Sequence, residues 1–292
     1  LAREARGHGV PEVMIAVIRE NSVIRPVVVL VKSLASALSI SSGGSVGREG
    51  PIVQIGAAFA STLGQVLKVR PEQLKTLVGC GVAAGIAGTF NAPIAGTLFS
   101  LELIVSDFGL TAFTPILVSA VASTAVTRYF YGTGAEFALP HFTMTSPWEF
   151  GLYILLAAGA GLVGYIFSRS IYVADDVFAK SRIPAWVRPA AGGLLVGIAA
   201  LFYPHVMGVG YDTIHVLFEG NITLAVMAIL VVLKLLATAV TIGSGGSGGI
   251  FAPSLFIGAM LGGTFGALAN QVFPGHTAPL GAYALVGMGA VN

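Results

Sequence analysis

The sequence predicts an all-α polytopic membrane protein, and its composition and apolar pattern both support this fold class. Of the 292 residues, 55% are hydrophobic and 10% are charged, whereas soluble domains carry about 25% charged residues. The mean hydropathy of +0.87 is too apolar for one water-soluble core. Open sheet edges cannot face lipid, so we expect the apolar stretches to be helices rather than strands.

Four apolar stretches approach the ~20 residues that cross a bilayer. We predict these as spanning helices: 111–129, 149–171, 187–202 and 222–242. Four others are shorter, or are interrupted by glycine and proline: 10–19, 51–67, 91–105 and 253–272. Interrupted segments of this kind are typical of partial or re-entrant helices in transporters. We expect the polar stretches 131–147 and 174–184 to be exposed connections.

Charge and cysteine content narrow the class of partner and cofactor. The formal net charge of +2 is too small to indicate nucleic acid as a partner. The single cysteine, Cys80, excludes an internal disulfide and a cysteine-based metal site. No histidine has metal-ligand spacing with a second ligand, so we expect no metal and no cofactor. The chain starts with Leu1 and ends inside an apolar run, and we expect it to be truncated at both ends.

The sequence contains two copies of one unit. Residues 31–35 (VKSLA) align with 233–237 (LKLLA) at an offset of 202 positions, and 42–45 (SGGS) align with 244–247 without a gap. The same offset places Pro51 on Pro253. Shorter matches recur in the same order upstream and downstream, which chance agreement of small residues does not explain.

The repeat predicts one transmembrane domain over 1–292, with a first copy at about 1–130 and a second at about 148–292. Transporters built from such copies bind their ion where the repeats meet, near the bilayer midplane. The sequence leaves open whether the two copies are parallel or inverted.

Glycine-rich segments precede three of the predicted helices: 43–51 (GGSVGREGP), 248–253 (GGIFAP) and 7–11 (GHGVP). Proline suits the first turn of a helix, and glycine allows the backbone to approach a ligand closely. The N–H groups of a first helical turn lack partners and attract anions. These segments therefore predict an anion held by partial charges, or, alternatively, ordinary loop–helix junctions with glycine for packing.

Arg48 and Glu49 form a charged pair in an apolar protein, and ionisable groups inside a membrane are costly and usually functional. A carboxylate beside an anion-binding helix terminus competes with the anion for the same N–H groups. Protonation or movement of Glu49 would then open the site, which makes it a candidate gate. The alternative is a local salt bridge at a membrane edge.

Five segments together resemble the signature of the CLC family of chloride channels and chloride–proton antiporters. They are 7–12 (GHGVPE), 47–51 (GREGP), 53–56 (VQIG), 90–96 (FNAPIAG) and 249–253 (GIFAP). The resemblance covers nearly the whole chain in order. It implies an antiparallel double repeat of tilted and broken helices, and a homodimer with one anion pathway per subunit. It also implies a multi-pass protein of the cell inner or plasma membrane.

The resemblance also implies roles for individual residues. Glu49 corresponds to the gating glutamate of voltage-gated members. The backbone amides of Arg48, Glu49 and Gly50 would hold an outer chloride or similar small anion. The backbone amides of Ile250 and Phe251 would hold a central anion. The segment that contains His8 and Gly9 would also contact this central anion.

Two positions depart from the family pattern. The central serine of the family aligns with His8, which either alters anion preference and pH dependence or turns aside and packs. Proton-coupled members carry a proton-transfer glutamate directly after Leu-Phe-x-x-Glu, whereas Glu102 is followed here by Leu103. Leu103 favours the channel branch, although Glu102 remains a candidate for taking protons from the inside.

We therefore predict a gated chloride channel, with a proton-coupled chloride antiporter as the alternative. An intramembrane enzyme would need a nucleophile–base or metal constellation, which we do not find in the sequence. A membrane scaffold would not need repeated glycine-rich helix starts.

Lys32 and Lys234 are equivalent in the repeat. They are expected to snorkel to an interface or, alternatively, to raise the positive potential along the pathway.

Overall fold

The computed structural model describes residues 3–134, 142 and 145–291. Its α-helices are, in chain order, α1 Val10–Arg19, α2 Val27–Ser41, α3 Glu49–Val66, α4 Pro71–Phe90, α5 Pro93–Phe99, α6 Leu110–Tyr131, α7 Glu149–Lys180, α8 Arg188–Phe202, α9 Tyr211–Phe218, α10 Leu224–Gly243, α11 Phe251–Val272 and α12 Leu280–Val291. Short 3-10 turns lie at Arg3–Ala5 and Pro204–Val206, and a π-helical turn lies at Ser100–Val105. The described residues form no β-strand beyond one isolated bridge between Gly7 and Ser247.

The helices fall into two compact units. Unit 1 comprises Leu1–Leu38, Arg48–Ala138 and Ser247–Gly249. Unit 2 comprises Ser39–Gly47, Leu139–Gly246 and Ile250–Asn292. The single transmembrane domain with two repeats stays a prediction, because compactness alone does not test it.

Both copies of the repeat have the same order of helices. A short helix (α1, α9) is followed by a longer apolar one (α2, α10), then by the helix after the glycine-rich segment (α3, α11) and by its packing partner (α4, α12). The third helix of each copy begins at equivalent positions, Glu49 and Phe251, which are 202 residues apart.

Within the part of the chain that the structure describes, four helices are long and apolar enough to cross a membrane: α6, α7, α10 and α11. Three of them correspond to the predicted spans 111–129, 149–171 and 222–242. The predicted span 187–202 is wrong, because α8 has 15 residues. At about 1.5 Å per residue it reaches about 22 Å, which is short of a hydrocarbon core of about 30 Å.

The prediction that 253–272 is a short or broken segment is also wrong. Residues Phe251–Val272 form one continuous helix of 22 residues. Pro253 lies in the first turn, where its missing N–H breaks no hydrogen bond. The glycines within α11 are packing positions rather than interruptions. Segment 91–105 is broken as predicted, since α5 is followed by the π-helical turn.

Unit 1 is built around α3 and α4, which pack closely on each other. Val13 of α1, Val53 of α3 and Val78 of α4 are buried together in its core. Gly56 and Gly81 face each other, and a Cβ on either residue would overlap the backbone of the other. Small residues permit such close helix packing in membranes.

Unit 2 repeats this packing between α11 and α12. Gly258 and Gly287 approach each other as closely as the glycine pair of unit 1 does. Tyr283 is fully buried, and its ring lies 5.2 Å from that of Tyr153 and 5.9 Å from that of Phe265. Equivalent helices of the two copies therefore pack through equivalent glycine contacts.

The two predicted connections differ in outcome. Most of 131–147 lies outside the described residues. In 174–184, α7 continues to Lys180, so the first part of the predicted connection is helical. Its residues are nevertheless mostly exposed, as expected.

Candidate functional site

Glu49 is the first residue of α3, and its side chain is 1% exposed. Gly50 and Pro51 follow in the first turn, and Ile52 N–H donates to the Arg48 carbonyl at 3.0 Å. The N–H groups of a first turn have no acceptor within their own helix, and the helix dipole is positive there. The sequence thus places a buried carboxylate where an anion is favoured.

The segment before α1 contacts this first turn through its backbone. Gly9 precedes α1 with φ of 96°, a left-handed angle that favours glycine. A Cβ on Gly9 would lie 2.7 Å from the Gly50 carbonyl oxygen, and a Cβ on Gly50 would overlap the His8 carbonyl oxygen. Glycine at both positions is therefore what allows the two backbones to meet.

A short piece of the second glycine-rich motif joins the same unit. Ser247 Oγ donates to the Ala5 carbonyl at 3.0 Å, and Gly248 N–H donates to the Gly7 carbonyl at 3.4 Å. A Cβ on Gly50 would lie 3.0 Å from Gly249 Cα. The structure thus brings together in unit 1 two segments that are about 240 positions apart in the chain.

Gln54 of α3 and Arg25, which lies just before α2, hold the start of this segment. Gln54 Nε2 donates to the Glu4 carbonyl at 2.7 Å. The Arg25 guanidinium donates to both carboxylate oxygens of Glu4, at 2.7 and 2.6 Å. This ion pair is substantially exposed, and exposed pairs contribute little to stability. Its evident effect is on position, since it fixes the chain ahead of His8.

The expectation that Lys32 and Lys234 snorkel to an interface is wrong. Both side chains are completely buried. Lys32 Nζ donates to the carbonyls of Ala5 at 3.3 Å and Gly7 at 2.8 Å. A buried ammonium needs hydrogen-bond partners, and here the backbone ahead of α1 supplies them instead of water or lipid headgroups.

Unit 2 holds the remaining predicted anion-binding residues. Ile250 precedes α11 and Phe251 is its first residue, and both are half-buried. Pro253 follows in the first turn, as Pro51 does in α3. The start of α11 therefore has the helix-terminus geometry that the repeat predicts.

The comparisons with known proteins give one consistent result. The family model described as voltage gated chloride channel matches residues 1–292. The chain belongs to this family. With four helices long enough to cross a bilayer, this CLC chain is an integral membrane protein.

Curated relatives of this CLC chain include one that is named as a chloride channel and one that is named as an exchange transporter. A ClcB-like protein of Ralstonia nicotianae, whose name refers to a chloride channel, is 39% identical over 266 residues, covering 90% of this chain and 62% of the relative. The H(+)/Cl(-) exchange transporter ClcA of Yersinia pestis bv. Antiqua is 33% identical over 301 residues, covering 99% and 62%. The chain thus spans 62% of the length of these relatives.

Solved structures confirm the predicted all-α fold of CLC type. A slow cyanobacterial Cl−/H+ antiporter matches with a TM-score of 0.86 and 26% identity, over 99% of this chain and 69% of that one. A CLC-type fluoride/proton antiporter matches with a TM-score of 0.82 and 26% identity, over 97% and 70%.

The predicted proton-transfer region lies in the π-helical turn. Glu102 is exposed there, and Leu103, at the family's glutamate position, is 41% exposed. The Glu102 carboxylate is therefore open to its surroundings, unlike Glu49.

Sequence reasoning missed the contacts that fix the segment before α1. Lys32 was visible as a repeated charge in an apolar helix, but not its carbonyl partners. Ser247 was visible only as a member of a repeated motif. Glu12 belongs to the motif that resembles the family, yet its Oε2 is buried without a hydrogen-bond partner in the described part of the chain.

Proposed function

We propose that this CLC chain moves chloride or a similar small anion across a membrane, with Glu49 as the gate. One observation carries the proposal: a buried carboxylate is the first residue of α3, where the glycine segment with His8 and Gly9 contacts Gly50. A carboxylate in this position competes with an anion for the N–H groups of the first turn. Protonation of Glu49 removes its negative charge and lets the anion enter.

The proposed anion contacts are backbone amides rather than full countercharges. In unit 1 these are the amides of Arg48, Glu49 and Gly50 for an outer anion. In unit 2 the amides of Ile250 and Phe251 hold a central one. Partial charges bind an anion strongly enough to admit it and weakly enough to release it.

Proton-coupled exchange is the better supported mode of transport. The Yersinia relative and the cyanobacterial structure are an exchange transporter and an antiporter by name. In this mode Glu102, exposed in the π-helical turn, takes protons from the inside. The exchanger therefore replaces the gated channel as the leading proposal.

An uncoupled, gated channel is the second candidate. Leu103, which cannot carry a proton, favours it at the family's glutamate position. The chloride-channel name of the Ralstonia relative is consistent with it. In this mode Glu49 opens the pathway without a proton moving through it.

Four finer features belong to the same proposal: voltage response, oligomeric state, location and class of activity. Moving one elementary charge across the membrane changes its energy by about 2.3 kcal/mol per 100 mV, so a gate carried by Glu49 responds to voltage, as the family description suggests. The protein forms a homodimer with one pathway per subunit, as the family resemblance implies. Its location is the cell inner or plasma membrane, and its activity is transport rather than an enzymatic reaction.

Reconstitution of the full-length protein into liposomes tests these alternatives. Chloride efflux is followed with an electrode, and proton entry is followed at the same time with a pH dye. Concurrent proton uptake is the expected result and supports exchange. Chloride efflux without proton movement would favour the channel, and the absence of efflux would contradict both.

A further inference from the structure

The two buried lysines make the same pair of contacts in the two copies of the repeat. Lys234 Nζ donates to the carbonyls of Val206 at 3.1 Å and Gly208 at 2.7 Å. These residues lie 201 positions after Ala5 and Gly7, the acceptors of Lys32. Gly7 and Gly208 both have positive φ, of 74° and 57°. In each copy, therefore, a buried lysine donates to two carbonyls of the segment before a short helix, α1 or α9.

This contact sets the direction of the next N–H group. In a trans peptide unit the C=O and the following N–H point in opposite directions within one plane. Lys32 binds the Gly7 carbonyl, so the His8 N–H, which belongs to the same peptide unit, points away from the ammonium. The Gly7 carbonyl is held a second time by Gly248 N–H. The orientation of the His8 amide is thus fixed from two sides.

One difference between the surroundings of the two lysines lies at equivalent positions of α3 and α11. Position 54 in the first copy is equivalent to position 256 in the second. In unit 2 the Phe256 ring lies 5.0 Å from Lys234 Nζ and fills the space beside Gly210, where a Cβ would lie 2.6 Å from the ring. In unit 1 the equivalent residue is the amide Gln54, which lies close to Gly9.

We infer that Lys32 is a positioning residue for the anion and that Lys234 is its structural counterpart. Lys32 turns the Gly7 carbonyl dipole towards its ammonium and so directs the His8 N–H away from it, where this N–H can donate to the anion. Lys234 makes the equivalent contacts in unit 2. There the apolar ring of Phe256 fills the space beside Gly210. The inference rests on the proposed function, because it assumes that the start of α3 binds an anion.

Binding and transport by the full-length protein test the role of Lys32. Methionine has nearly the shape of lysine without the ammonium, so Lys32→Met leaves the Gly7 carbonyl with only the longer hydrogen bond from Gly248 N–H, at 3.4 Å. We expect the chloride Kd, measured by calorimetry in detergent, to rise about tenfold, as loss of a charged hydrogen-bond donor predicts. The nitrate-to-chloride flux ratio in liposomes should change with it, and Lys32→Arg should restore both values towards wild type.

Lys234→Met is the matched control, since it removes an equally buried cation with two carbonyl acceptors. It should lower the unfolding temperature as Lys32→Met does, but leave the chloride Kd and the flux ratio unchanged. If both variants shift the Kd equally, or if Lys32→Met leaves it unchanged, the inference is overturned.

Two further variants decide the question if Lys32→Met does not fold. Lys32→Gln removes the ammonium charge while keeping a polar side chain, and Ser247→Ala removes the other donor to the Ala5 carbonyl. A higher chloride Kd in either supports the inference, and unchanged values in both overturn it. If wild type neither binds nor transports chloride, the proposed function fails. If wild type does both and these variants match it, only the role of Lys32 fails.

Discussion

At the scale of single residues, the candidate site depends on an ionisable side chain that is buried. Glu49 is a carboxylate that is 1% exposed, and burial without a positive partner or hydrogen-bond donors is costly. The N–H groups at the start of α3 and the helix dipole are favourable for its charge. The same groups are favourable for an anion, so we expect the two to compete.

Glu49→Gln should give a transporter that has lost most of its response to acid. Glutamine has the shape of protonated glutamate but cannot acquire a negative charge. Wild-type chloride flux should rise as the pH falls, because protonation removes the competing carboxylate, whereas the flux of the variant should stay high and keep only the smaller response near neutrality that His8 supplies. Liposome efflux across a pH series measures this. Glu72→Gln, an exposed acid in the first turn of α4, should behave as wild type, and an acid response in Glu49→Gln as large as that of wild type would contradict the gate.

His8→Ser should change both anion preference and pH response near neutrality, where imidazole normally gains its charge. A protonated imidazole next to the anion strengthens binding at acidic pH, and serine lacks this charge. We expect a several-fold smaller increase in chloride flux on acidification and an altered ratio of nitrate and bicarbonate to chloride flux. His276→Ser, in an exposed connection, serves as the control. Identical profiles for wild type and His8→Ser would mean that the imidazole only packs.

At the scale of elements, the site requires the segment before α1 and the first turn of α3 to touch through their backbones. Gly9 and Gly50 permit this contact, and neither position has room for a Cβ. The sequence motif predicts glycine-rich helix starts, but it does not say which two starts meet. The helix pairs α3–α4 and α11–α12 show the same use of glycine for close approach.

Gly50→Ala should destabilise the protein and abolish transport together. Its Cβ would overlap the His8 carbonyl oxygen, and relief of such overpacking typically costs about 1–3 kcal/mol. Gly151→Ala, on α7 with no atom near its Cβ position, should be neutral or stabilising by up to about 1 kcal/mol. Thermal unfolding in detergent and chloride efflux measure the two effects. Normal efflux by Gly50→Ala would show that the close contact is not required.

At the scale of the whole molecule, the proposed proton coupling requires more than the proposed gate, Glu49. A proton that leaves Glu49 must reach the other side of the membrane through a second titratable group. Leu103 cannot serve, whereas Glu102 is exposed and titratable. The coupling ratio is therefore a property of the complete pathway.

Glu102→Gln should reduce proton movement while chloride transport continues. The amide has the size of the carboxylate but does not exchange protons, so protons entering with chloride efflux should fall several-fold relative to chloride. Simultaneous recording of both ions in liposomes gives this ratio. Glu20→Gln, an exposed acid just after α1, is the control. An unchanged ratio would exclude Glu102 from the proton pathway.

From the sequence alone we could conclude that the protein resides in a membrane, that its sequence contains a repeat and that it resembles the CLC family. Composition excludes a water-soluble core, and the 202-residue offset aligns Glu49 with Phe251 without any structure. These conclusions need only local chemistry and the order of residues. The span of α11 was harder to predict, because proline in a first turn and glycine at a packing face resemble interruptions in a sequence. For α8, the apolar pattern alone does not distinguish a helix of 15 residues from one long enough to cross the membrane.

Tertiary structure decided where the charged and small side chains lie. Lys32 is buried because the carbonyls ahead of α1 replace water around its ammonium, and no local pattern encodes that partnership. Ser247 reaches Ala5 across 242 positions, and Gly50 needs to be glycine only because the backbone of His8 lies against it. Contacts between segments so distant along the chain arise from packing of the whole unit, which a sequence read residue by residue does not contain.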